Sequence, residues 1–155
     1  IIAVDNFDNK LEWAKQLGAT HTVNAKAEEP VAAVRSLAGG EGVDYAFEAV
    51  GLPVLVRQAV ESLATGGTAT VVGVLPTGSS LEFPSAALAG EKKLQTCGMG
   101  SNRFRVDIPR YLDLYRQGRL DLDSMVSRKM PLADINEAFR AMKAGEVARS
   151  VLTFD

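Results

Sequence analysis

Cysteine and histidine are nearly absent from this 155-residue sequence, one of each, and the scarcity excludes two classes at once. A single cysteine closes no internal disulfide, and with one histidine it cannot supply the three or four Cys/His ligands of a zinc site. Long hydrophobic runs are missing too: Val71-Val72-Gly73-Val74-Leu75 falls far short of the roughly 18 apolar residues that span a bilayer. Neither sign of charge dominates, with 17 Lys+Arg against 19 Asp+Glu and a formal charge of −2, and no basic block offers a nucleic-acid surface. At 46% hydrophobic and 23% charged residues, the composition is that of an ordinary soluble globular protein. A reducing cytosol is the expected compartment. No signal-peptide pattern opens the chain, and its first residue is Ile rather than Met, which agrees with a fragment.

Through the first hundred residues, short apolar runs alternate with helical patterns, which argues for βαβ units and a parallel sheet. Ile1 to Val4 reads as a strand. Leu11, Ala14 and Leu17 then give a helix that Gly18 terminates. His21 to Asn24 reads as a second strand, and Pro30 opens a helix with Val31, Val34 and Leu37 on one face. Val43 to Val50 is the third strand. Pro53 begins a helix carrying Val56, Ala59, Val60 and Leu63, which Gly66-Gly67 stops. Thr68 to Val74 is β-branched and continuous enough for a central strand buried on both faces. Leu75 to Pro84 reads as an irregular loop, and Lys93 to Met99 as a last strand. Beyond Gly100-Ser101-Asn102 the rhythm changes to a helix over Asp107–Gln117 and an extended stretch through Leu120, Leu122 and Met125. A second helix follows, striped by Ile135, Ala138, Phe139 and Met142, and Ser150 to Phe154 closes as a strand. The expected domains are residues 1–99 and 100–155.

The most informative absence is a glycine-rich phosphate loop. Asp5 ends the first apolar run, where an acid can accept hydrogen bonds from two ribose hydroxyls and disfavour a 2′-phosphate. In that arrangement a G-x-G-x-x-G turn stands about 20 residues upstream, and here only four residues precede Asp5. The loop and the first strand are therefore expected outside this chain, and NAD is expected over NADP. A turn or capping aspartate is the bland alternative. Lys10 can reach the same ribose or be a solvated lysine. Val50-Gly51 and Val72-Gly73-Val74 end adjacent strands, where ligands of open α/β sheets bind. Arg149 is either a diphosphate partner or a surface arginine. His21 reads as structural, and Cys97 as a small apolar residue without a base to activate it. Glu48, inside an apolar strand, needs a partner.

Together, Ile1-Ile2-Ala3-Val4-Asp5, Lys10 to His21, Gly42 to Gly51, Thr65-Gly66-Gly67-Thr68, Val72-Gly73-Val74, Asp107-Ile108-Pro109, Ile135 to Phe139 and Gly145 to Val151 resemble zinc-dependent medium-chain alcohol dehydrogenases, in order and along essentially the whole chain. The resemblance is to bacterial members near the class III and thiol-adduct formaldehyde dehydrogenase branch. It implies an α/β fold: an incomplete Rossmann-type, doubly wound parallel sheet without its first strand, plus the C-terminal part of the catalytic domain. It places Asp5 on the ribose acid, Lys10 on the ribose lysine, Val50 on the adenine side, and Val72 and Val74 on the nicotinamide side. Arg149 would meet the diphosphate, and backbone groups near Cys97 and Met99 would hold the carboxamide. A homodimer or homotetramer is implied. Leu75 stands where many relatives have proline, and Thr96-Cys97-Gly98 departs from the usual nicotinamide-end segment. Zinc ligands, proton relay and glycine fingerprint precede the matched region in the family, so no catalytic or metal residue is assigned.

The resulting expectation is part of an oxidoreductase that moves a hydride from a primary alcohol or thiol-formaldehyde adduct to NAD, with zinc held outside this chain and the chain alone inactive. Two alternatives stand beside it: a zinc-free quinone or enoyl reductase of the same superfamily, and a non-catalytic nucleotide-binding or dimerisation module. A sheet lacking a strand would also leave an open edge and an uncovered apolar face.

Overall fold

The computed structural model describes residues 1–154. They divide into two compact units, one of Ile1–Asn6 with Ala19–Asn102 and one of Phe7–Gly18 with Arg103–Asp155. The helix after the first strand thus groups with the C-terminal residues. The architecture is α/β with parallel strand pairing throughout, as the sequence pattern implied.

In the first unit, β1 (Ile2–Asp5) pairs in parallel with β2 (His21–Asn24), bringing Asp5 opposite Asn24. Helix α2 (Pro30–Leu37) begins at Glu29, whose carboxylate accepts the amides of Val31 and Ala32, and with proline in the first turn. It packs against β1 and β2 and leads to β3 (Val43–Glu48). Helix α3 (Pro53–Glu61) covers β3 and β4 (Leu63–Val71), and β5 (Lys93–Thr96) completes a sheet of order β3-β4-β5. β4 is central, as its β-branched run implied. Val60, Leu63, Ala69 and Ala87 form the core, with Ala46 and Leu94 packed against it. Fully burying Val23, Val56, Val60 and Leu63 contributes about 1.5–3 kcal/mol for each side chain.

Two sequence readings shift here. The helix expected to run through Leu63 to Gly66-Gly67 ends at Glu61, where the Ser62 hydroxyl donates back to the Gln58 carbonyl at 2.8 Å. Leu63 opens β4 instead, and Gly66-Gly67 lie inside the strand rather than at a helix end. The β3–β4 register jumps there, from Val43↔Leu63 to Tyr45↔Thr68, so residues Ala64 to Gly67 bulge out of the ladder. Glycine is required at 67, since a Cβ would stand 2.9 Å from the Val43 carbonyl oxygen. The strands β3 and β4 also end two or three residues sooner than expected, because Glu48 and Val71 lead into loops.

In the second unit, α1 (Asp8–Gln16) buries Leu11 and is fastened by Asn9, whose amide donates to the Gly145 carbonyl at 3.2 Å. Helix α4 (Phe104–Arg116) includes Pro109 and buries no residue, leaving Phe104, Val106, Ile108, Tyr111 and Leu112 exposed. The stretch through Leu120, Leu122 and Met125 is turns rather than strand; the strand is β6 (Arg128–Pro131), parallel to β7 (Ser150–Thr153). Helix α5 (Ile135–Lys143) buries Ala141, whereas Phe139 and Met142 of the expected stripe are exposed. Arg140 donates to both Glu137 and Glu146 at 2.7–2.8 Å.

Candidate cofactor site

Glu48, the last residue of β3, organises the strand-end loop. It is 4% exposed, and its Oε1 accepts the amides of Val50 at 2.9 Å and Gly51 at 2.7 Å, with that of Leu52 at 3.5 Å. The partner required by a buried carboxylate is therefore the backbone of the next turn. Oε2 is buried without a hydrogen bond and faces Gly73, where a Cβ would lie 2.6 Å from it.

Gly51 and Gly73 bring the two strand-end loops into contact. A Cβ on Gly73 would stand 2.2 Å from the Gly51 nitrogen, and one on Gly51 2.3 Å from the Val74 carbonyl oxygen; Gly51 also has φ +91°. Only glycine permits that approach. The β3 and β4 ends thus form one surface on which Val50, Val72 and Val74 stand 67%, 44% and 89% exposed. A flat ring lying on these valines would be held by apolar contact and by nearby backbone groups. β5 extends this surface: the Cys97 amide donates to the Val71 carbonyl at 3.2 Å, and its half-buried thiol lies 3.7 Å from the same oxygen. Met99, 90% exposed, has φ +48°, and Ser101 has φ +52° with Gly100 between them at +69°. Positive φ at non-glycine residues costs roughly 1–2 kcal/mol each; Glu91, at φ +60° before β5, carries the same strain. In the sequence, only Gly100 hinted at it.

Asp5 is half-buried at the carboxyl end of β1, and it borders the same groove as Glu48 and Val50. Six of the eight candidate residues, Asp5, Val50, Val72, Val74, Cys97 and Met99, belong to the first unit. Lys10 and Arg149 belong to the second. There the Lys10 ammonium donates to the Val147 carbonyl and lies 5.0 Å from the Trp13 ring centroid, a partly buried cation–π contact. Arg149 is exposed, and its backbone is fixed to Ser127, whose amide donates to the Arg149 carbonyl at 2.9 Å. His21 keeps to a local role, its Nδ1 2.9 Å from the Thr20 hydroxyl.

Acid-tipped parallel strands, glycine-mediated strand ends and an apolar surface at their carboxyl ends define an α/β protein of the dinucleotide-binding kind. Residues 1–117 match the family model described as zinc-binding dehydrogenase, and the chain belongs to that family. It is 33% identical over 162 residues to alcohol dehydrogenase class-3 of Cereibacter sphaeroides, covering 99% of this chain and 43% of that one. Identity to S-(hydroxymethyl)glutathione dehydrogenase of Paracoccus denitrificans is 32%, with the same coverage. Among solved structures, benzyl alcohol dehydrogenase from Acinetobacter calcoaceticus superposes with a TM-score of 0.93 at 34% identity, over 100% of this chain and 42% of that one. The chain thus spans less than half the length of these relatives. The fold is a partial Rossmann-like domain of an alcohol dehydrogenase type, in keeping with the resemblance read from the sequence.

Proposed function

We propose that this chain supplies the NAD-binding portion of an oxidoreductase that takes a hydride from a primary alcohol or a thiol-formaldehyde adduct. The observation that carries the reading is the placement of Asp5 and Val50 on the rim of one groove at strand carboxyl ends, beside the Gly51–Gly73 contact. Asp5 accepts the two hydroxyls of the adenosine ribose, and its charge repels a 2′-phosphate. Val50 lies along the adenine, and Val72 and Val74 form the bed of the nicotinamide, whose carboxamide meets backbone groups near Cys97 and Met99. Lys10 and Arg149, given to the ribose and the diphosphate by the resemblance alone, belong to the other unit and carry no part of this reading. Bound NAD supplies the hydride acceptor; this chain's residues position it and shield one face of the ring from water.

The described residues hold no group of three or more His, Cys, Asp or Glu able to cage a metal ion. By themselves these residues do not make a zinc site. The substrate classes are supported by the names of the relatives, an S-(hydroxymethyl)glutathione dehydrogenase and a benzyl alcohol dehydrogenase among them. A cytoplasmic homodimer or homotetramer completes the proposal.

The test is a pair of calorimetric titrations, NAD and NADP, on the intact dehydrogenase and its Asp5→Ala variant. Hydrogen bonds to a charged acceptor contribute about 1.5–3 kcal/mol, so NAD affinity should fall roughly 10- to 100-fold while NADP rejection relaxes. Unchanged affinities in both titrations would refute the ribose assignment.

A further inference from the structure

Glu48 stands where the two strand-end loops meet and holds each by a different part of itself. Its main-chain carbonyl accepts the amides of Val72 at 2.7 Å and Gly73 at 3.0 Å, which fixes the loop after β4. Its side chain serves the loop after β3, with Oε1 accepting the amides of Val50 and Gly51. The same oxygen lies 3.5 Å from the amide of Leu52, the N-cap residue of α3, which makes no side-chain cap of its own. A carboxylate there also meets the positive end of the α3 dipole.

The second oxygen fills the space between the loops. Oε2 has no hydrogen-bond donor and lies against Gly73, where a Cβ would stand 2.6 Å from it. Gly51 and Gly73 close the same junction from the backbone side, each without room for a side chain. Closing the 50–52 turn takes one acceptor oxygen, and a second one left buried and unpaired is costly. Glu48 is thus wedged between the loops, and neither can shift without displacing the other. Close-packed interiors transmit such displacements because they hold no free volume to absorb them.

We infer that Glu48 is a positioning residue that couples the two halves of the cofactor surface, so that filling the Val50 side sets the Val72–Val74 side. This role presupposes the NAD reading above, in which the adenine lies along Val50 and the nicotinamide on Val72 and Val74. At 4% exposure, Glu48 acts through the amides it holds rather than by contact with the dinucleotide. The coupling is one of binding free energies and therefore runs both ways.

The test begins with amide exchange of the intact dehydrogenase on addition of AMP, which carries the adenosine half of NAD and no nicotinamide. Coupling predicts that the Val72–Val74 amides slow together with those of Val50 to Leu52, beyond any slowing at Ala69 in the middle of β4. Slowing confined to Val50–Leu52 overturns the coupling, and this arm needs no variant. Calorimetric titrations of AMP, ADP-ribose and NAD then compare wild type with Glu48→Gln, which keeps one carbonyl acceptor, and Glu48→Ala, which keeps none. NAD affinity should fall at least about tenfold in Glu48→Ala, the loss of one hydrogen bond to a charged acceptor, and by less in Glu48→Gln. AMP affinity and the ratio of NAD to ADP-ribose affinity, which isolates the nicotinamide, should fall together. A residue that only held the fold would leave fewer binding sites at unaltered affinities, and that result overturns the coupling. So does a loss confined to AMP, or a Gln variant as weak as Ala. Wild type that binds neither AMP nor NAD refutes the cofactor reading and the coupling with it; wild type that binds both, beside variants of unaltered affinity, refutes the coupling alone.

Discussion

Replacing Gly73 with alanine tests the contact between the strand ends. The added Cβ would lie 2.2 Å from the Gly51 nitrogen and 2.6 Å from both the Gly51 Cα and the Glu48 Oε2. Two of these neighbours are backbone, so relief requires the 50–52 loop to move by about an ångström, the shortfall from ordinary carbon contact at ~3.5 Å. Overpacking of this kind costs about 1–3 kcal/mol. The movement also stretches the amide bonds from Val50 and Gly51 to Glu48, and bonds to a charged group are worth about 1.5–3 kcal/mol each. Losing part of one brings the expected total to about 3 kcal/mol. Urea unfolding monitored by circular dichroism should lower the midpoint at constant slope. Gly78→Ala is the control: Gly78 has φ +83° and nothing within 4 Å of its added Cβ, so only the backbone penalty of roughly 1–2 kcal/mol applies. A Gly73→Ala change below about 0.5 kcal/mol, or one smaller than the control, would refute the packing argument.

Glu48→Ala leaves the amides of Val50 and Gly51 without their acceptor and should destabilise by about 2–4 kcal/mol, read by the same urea titration; a neutral effect would deny Glu48 its role in the loop. Gly67→Ala places a Cβ 2.9 Å from the Val43 carbonyl oxygen and should cost about 1–3 kcal/mol; hydrogen exchange should report the opening around the bulge, and unaltered rates would contradict it. Hydrogen bonding to Arg140 holds the carboxyls of Glu137 and Glu146 below the ordinary glutamate value. A lowered folded pKa means that their stabilisation is present above the unfolded value, about 4.3, and is lost as pH falls through the folded one. The stability difference between wild type and Arg140→Gln should accordingly shrink on acidification below that value, and a difference constant down to pH 2 would contradict the assignment.

The βαβ alternation was legible because proline and glycine punctuate it: Pro30 and Pro53 open helices, and β2 falls on the expected His21–Asn24. The α3–β4 boundary was not, because Leu63 continues the helical spacing while its side chain is buried as the first residue of a strand. Local periodicity cannot register that the serine hydroxyl at 62 turns back on the helix. β6 was missed for a related reason: Arg128-Lys129-Met130-Pro131 has one buried residue and a proline, and only pairing with β7 makes it a strand. The position of Asp5 at the end of β1 could be read because four apolar residues precede it. The backbone partners of Glu48 and the meeting of Gly51 with Gly73 depend on contacts across two loops, which no spacing in the sequence encodes.

A crystal structure of the protein from its natural source, grown with NAD, tests the central claim most directly. The Asp5 carboxylate is expected within hydrogen-bond distance, about 2.5–3.2 Å, of both adenosine ribose hydroxyls, with the nicotinamide against Val72 and Val74. A dinucleotide bound elsewhere, or a ribose turned away from Asp5, would contradict it.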